Sequence, residues 1–97
     1  MTKKDIFSRI QKNRDDIKSF SVIKLGVFGS RIKGAATPAS DIDVLVEFDK
    51  KTFDNYMGLK FFLESLFKTK VDLVTNSALK PDLKPSILKE VKYVEGL

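Results

Sequence analysis

The 97 residues predict an α/β (α+β) domain with a small mixed β-sheet flanked by helices. Three observations predict it. Short runs rich in β-branched and aromatic residues, "VIKLGVF", "DIDVLVEF" and "KVDLVT", have strand composition. Segments around and between them repeat apolar residues at helical spacing. No internal repeat, low-complexity stretch or linker interrupts the pattern, so one domain with one core is expected over residues 1–97.

In chain order, residues 3–19 place Ile6, Ile10 and Ile17 at helical spacing, with Phe7 widening the stripe and charged residues on the other faces. Residues 22–28 form the first strand, which Gly29-Ser30 breaks. Residues 31–34 suit a short helical turn. "GAATPAS", residues 34–40 with Pro38, is expected to be loop. Residues 41–48 are the second strand and Asp49 to Thr52 a polar turn. Residues 54–67 are a helix capped by Thr52 or Asp54 and modestly weakened by Gly58. Residues 70–75 are the third strand, and 76–84 a loop punctuated by Pro81. Pro85 opens a last helix, about 85–95, with Ile87, Leu88, Val91 and Val94 on one face and Gly96 at its end. The expected order is helix, strand, short helix, strand, helix, strand, helix, which stacks helices on a small sheet.

Composition narrows the chemistry. The chain has no cysteine and no histidine, which excludes thiol nucleophiles, disulfide frameworks, Ser-His triads and the common zinc sites. A metal must then be held by oxygen, which favours Mg²⁺, Mn²⁺ or Ca²⁺. The net charge of +5 suits an anionic partner. That partner could be a nucleotide, a nucleic acid or an acidic protein, and the charge could equally be a plain solvated surface. With no groove-reading motif or base-stacking cluster, a nucleic-acid-binding domain ranks lower. No run approaches a membrane span and the first residues lack an apolar leader, so a cytoplasmic location is expected.

The informative stretch runs from Gly26 to Phe48, "GVFGSRIKGAATPASDIDVLVEF". Asp41 and Asp43 alternate with Ile42 and Val44 and so share one strand face. Two carboxylates that close repel unless a cation sits between them. Asp72, between Val71 and Leu73 in the third strand, completes a three-carboxylate cluster for one or two Mg²⁺ ions if the second and third strands are neighbours. A strand leading through Gly-Ser into a helical turn presents N–H groups to an anion, with Arg31 and Lys33 adding positive charge. Each feature also has a plainer reading. Asp41 could end a turn, Asp72 could pair with Lys70, and Gly-Ser could be an ordinary strand exit. The joint pattern, Gly-Ser, ten residues, then Asp-x-Asp, favours a phosphate-binding turn beside a metal-binding acid pair.

"GSRIKGAATPASDIDVLVEF" resembles the signature of the DNA polymerase β-like nucleotidyltransferases. More narrowly, it resembles their minimal members, the antitoxins of MNT/HEPN toxin–antitoxin pairs. The resemblance extends to the leading helix, to "KVDLVT" with its third acid, and to the last helix. It implies that Gly29 and Ser30, beside Arg31, bind the triphosphate of ATP. It also implies that Asp41 and Asp43 ligate Mg²⁺ and that Asp72 helps activate the acceptor hydroxyl. The implied activity is transfer of AMP from ATP to a hydroxyl, a tyrosine, of a partner HEPN ribonuclease toxin. The alternative is an antitoxin that neutralises by docking alone. After seven short elements no residues remain for an acceptor-binding domain, so a partner protein is expected to present the acceptor. In the 54–67 helix, Tyr56, Leu59, Phe62, Leu63 and Leu66 suit the core, while Phe61 and Phe67 are candidates for a partner-facing surface.

Overall fold

The structure is a computed structural model and describes residues 1–34 and 41–97. Of the loop expected over 34–40, all but Gly34 lies outside the described residues. Helix α1 (Lys3–Lys12) begins with a reciprocal cap: the Asp5 N–H donates to the Thr2 hydroxyl, and the Thr2 N–H to the Asp5 carboxylate. The single helix expected over 3–19 is two, because the chain turns at Asn13 before α2 (Arg14–Lys18). There the Asn13 side-chain amide donates to the Arg9 carbonyl at 2.8 Å and its N–H to Ile10, which tightens the last turn and starts a new axis. Ile6, Ile10 and Ile17 are nonetheless all fully buried.

The sheet is mixed and four-stranded, in the order β3-β2-β1-β4. Strand β1 (Val22–Phe28) lies antiparallel to β2 (Ile42–Phe48), which lies parallel to β3 (Val71–Thr75). The fourth strand, β4 (Lys92–Tyr93), pairs antiparallel with β1 and was not expected. The last helix, α5 (Lys84–Glu90), therefore stops well short of residue 95. The cause is the composition of the tail: Val91, Tyr93 and Val94 are β-branched or aromatic. Gly26 leaves room for them, since a Cβ there would come within 2.7 Å of the Val91 side chain. The Val94 N–H then donates to the Leu25 carbonyl at 2.8 Å.

Helix α4 (Phe53–Phe67) is capped by Thr52, whose hydroxyl accepts from the Asn55 N–H at 3.0 Å. Gly58 is more than a weak point in this helix: a Cβ there would meet the Phe20 ring at 2.7 Å, so its absence lets Phe20 pack. Helices α1, α2 and α4 cover one face of the sheet. They bury Leu59, Leu63 and Phe67 against Val27, Ile42, Val44, Val46, Val71 and Leu73. Phe67, a candidate for the partner-facing surface, is core at 3% exposure, whereas Phe61 is 60% exposed. Helix α4 also guards the open edge of β3: the Val71 N–H donates to Glu64 and the Tyr56 hydroxyl to the Leu73 carbonyl. The opposite face carries a smaller cluster, Phe28, Leu45 and Val91, joined by Val74, Leu79 and Ile87. No helix among the described residues is long and apolar enough to cross a membrane.

Candidate active site

The strand register builds the site. Phe28 of β1 faces Asp43 of β2, and Asp43 faces Asp72 of β3. The two acids thus stand side by side on the face opposite Ile42 and Val44. Asp41 precedes β2 by one residue and is exposed; Asp72 is exposed and Asp43 half-buried. Gly29 follows Phe28 and turns the chain at φ +80°, a conformation that favours glycine. It has a second reason to be glycine, because a Cβ at this position would lie 2.1 Å from an Asp43 carboxylate oxygen. The missing side chain lets the acid rest against the turn. Helix α3 (Ser30–Lys33) follows, its first turn closed by the Ile32 and Lys33 N–H groups donating to the Gly29 carbonyl. Ser30 and Arg31 are half-buried at its start.

The electrostatics report crowding. Burial pushes the Asp43 carboxyl up to about 6, and the negative charges of Asp72 and Asp41, a hydrogen bond with Asp72, and the charge of Glu90 push the same way. Asp43 and Asp72 are the acids in contact, while Asp41 acts on Asp43 through its charge. Among the described residues, no three acidic side chains meet closely enough to enclose an ion. The donor set still fits a hard divalent cation: all its ligating atoms are carboxylate oxygens, and the repulsion that raises Asp43 is what a cation relieves. A groove of about 500 Å³ lined by Phe53, Tyr56, Leu73 and Thr75 contains none of the predicted site residues.

One neighbour was not anticipated. Glu90, the last residue of α5, accepts from the Gly29 N–H at 3.1 Å and pairs with Lys33 at 3.1 Å. Lys33 draws the Glu90 carboxyl below the usual carboxylate range, and the Gly29 hydrogen bond adds to this. No signal in the sequence pointed to it, since Glu90 falls in the middle of the helix expected over about 85–95; only the early end of α5 puts this acid at a helix terminus.

The Gly29 turn against Asp43, with Asp41 just before the strand and Asp72 opposite on the parallel neighbour, is the arrangement expected of a nucleotidyltransferase domain. The chain belongs to the nucleotidyltransferase domain family, which matches residues 9–94. It is 35% identical over 96 residues to the protein adenylyltransferase MntA of Thermococcus cleftensis, covering 97% of each chain. A solved structure carrying the name minimal nucleotidyltransferase superposes with a TM-score of 0.82 at 30% identity, covering 95% of both chains. One chain of a toxin–antitoxin crystal structure with AMP-PNP superposes with a TM-score of 0.73 at 26% identity. That match covers 94% of this chain and 73% of the other.

Proposed function

We propose that this nucleotidyltransferase is an antitoxin that transfers AMP from ATP to a hydroxyl, a tyrosine, of a partner HEPN toxin. The observation that carries the reading is the Asp43 carboxylate seated on the Gly29 turn while it opposes Asp72 across the parallel strands. The adenylyltransferase name of the Thermococcus relative and the AMP-PNP of the toxin–antitoxin structure support the choice of AMP and of a protein acceptor.

In this reading the Gly29 N–H and the Ser30 hydroxyl receive the triphosphate, and Arg31 and Lys33 offset its charge. Asp41 and Asp43 would hold Mg²⁺, with Asp72 as the third carboxylate. When bound, Mg²⁺ neutralises charge on the phosphates and on the departing pyrophosphate. The acceptor oxygen attacks the α-phosphorus, the bond to the β-phosphate oxygen breaks, and pyrophosphate leaves. In this reading Asp72, which is exposed, would take the hydroxyl proton.

The test is label transfer from α-labelled ATP with Mg²⁺ to the partner toxin. Native protein is expected to label it, and Asp41→Asn and Asp43→Asn to lose at least a hundredfold in rate, the scale of removing one electrostatic catalytic group. Transfer that survives both substitutions overturns the site. Neutralisation of the toxin by both variants, with no transfer by the native chain, would establish docking alone.

A further inference from the structure

Glu90 occupies both groups that an incoming phosphate needs. Its carboxylate accepts the part-buried Gly29 N–H at 3.1 Å and neutralises Lys33 at 3.1 Å, although it comes from the far end of the chain. A phosphate placed on the Gly29 turn would meet this carboxylate as well as Asp43. Both anions cannot hold the same donor, so one must leave.

Resting on the nucleotidyl-transfer reading above, we propose that Glu90 is an internal stand-in for phosphate. It fills the Gly29–Lys33 cradle when no nucleotide is bound and swings out when the triphosphate arrives. The exchange is physically reasonable on three counts. An empty cradle would leave a part-buried N–H unpaired, which Glu90 prevents. The Lys33 side chain is 63% exposed, so its pair with Glu90 is weakly held and it can follow a ligand. Glu90 closes α5 immediately before Val91 turns extended, at ψ 137°, so the side chain can rotate away without unwinding a helix beyond it. Nothing local favours an acid at that helix end; the cradle is what holds it there. The consequence is competition: Glu90 weakens nucleotide binding by the free energy of its own two contacts. Those contacts are one charge-assisted hydrogen bond and one half-exposed ion pair, and together they set the expected effect at about tenfold.

The test is equilibrium binding of AMP-PNP with Mg²⁺ to the native chain, Glu90→Gln and Glu90→Ala by titration calorimetry. Glu90→Ala is expected to bind about tenfold more tightly than native, with Glu90→Gln between the two. Circular dichroism checks that each variant is folded, and the isosteric Glu90→Gln remains informative should the alanine variant not fold. The native chain gives a second readout without substitution. Inorganic pyrophosphate is expected to shift the Gly29 amide resonance and the Glu90 carboxyl carbon together, because one replaces the other. Equal or weaker AMP-PNP binding by both variants, with native binding intact, overturns the Glu90 proposal alone. A Glu90 carbon that pyrophosphate leaves unmoved while Gly29 shifts does the same. Absence of AMP-PNP binding in all three proteins overturns this proposal and the nucleotidyl-transfer reading together.

Discussion

Strand β2 has two faces that follow opposite rules. Ile42, Val44 and Val46 are completely buried under α1, α2 and α4. Asp43, Leu45 and Glu47, interleaved with them, face the smaller α5 side, where Asp43 stands opposite Asp72 and feels the charge of Glu90. A strand's period of two separates stability from chemistry residue by residue. The first face is satisfied by burial alone. The second holds like charges together: Asp72, Asp41 and Glu90 all push the Asp43 carboxyl upward. Neighbouring residues should therefore respond to substitution with opposite signs.

The largest expected effect is on the buried face. Val44→Ala deletes two methyl groups from a fully buried site between the sheet and α4. The lost transfer free energy and the cavity left behind should cost about 2 kcal/mol. For a domain of this size that lowers the thermal midpoint by about 10 °C. Calorimetric or dichroism melts check it, and a fall of less than a few degrees would mean that this face repacks.

One residue earlier the sign reverses. The Asp43 carboxyl is raised to about 6 from an ordinary 3.8, so the folded chain holds this proton more tightly than the unfolded chain does. Protonation therefore favours folding. This contribution is present below about pH 4 and is lost as pH rises from about 4 to about 6. Without divalent cations, the difference in stability between Asp43→Asn and native should grow in favour of the variant across that window and then level off. At pH 7 the variant should melt a few degrees higher, the shift of a fraction of a kcal/mol. The Asp5 carboxyl shifts the other way, but both proteins carry it, so the comparison removes it. Added Mg²⁺ should stabilise native protein more than the variant, and equal responses would sever Asp43 from metal binding.

The legibility of the two faces differs for the same reason. The buried face is written in local composition: "VIKLGVF" and "DIDVLVEF" mark their strands directly, and Ile6, Ile10 and Ile17 mark the helices above them. Asp43 and Asp72 were legible because they interrupt strands, and the register then placed them opposite each other. What sequence could not convey depended on contacts between distant segments. The tail from Val91 onward has apolar residues compatible with either a helix face or a strand, and Gly26 on β1, far earlier in the chain, leaves the room that β4 fills. Glu90 reads as a mid-helix acid of the expected 85–95 helix until the fold brings it to Gly29, 61 residues away. Phe61 and Phe67 look alike in sequence. The helix rotation buries Phe67 and exposes Phe61.

That last pair provides the smallest expected effect and a control for the other two. Phe61 is 60% exposed on α4 and is absent from both apolar clusters. Phe61→Ala removes a large side chain that the isolated chain does not bury, and alanine is the better helix former. The two effects are small and opposed for stability, so the melting temperature should stay within about 2 °C of native, the range of an ordinary surface substitution. Nucleotide binding should be unchanged as well, because Phe61 lies on the helix layer and the acids face the other side of the sheet. Gel filtration alone and with the proposed partner toxin discriminates the cases. Loss of the toxin complex with melting and AMP-PNP binding intact would place Phe61 at that interface. A melt that falls by more than about 5 °C would show instead that α4 packs this ring, and the division between the two faces would need redrawing.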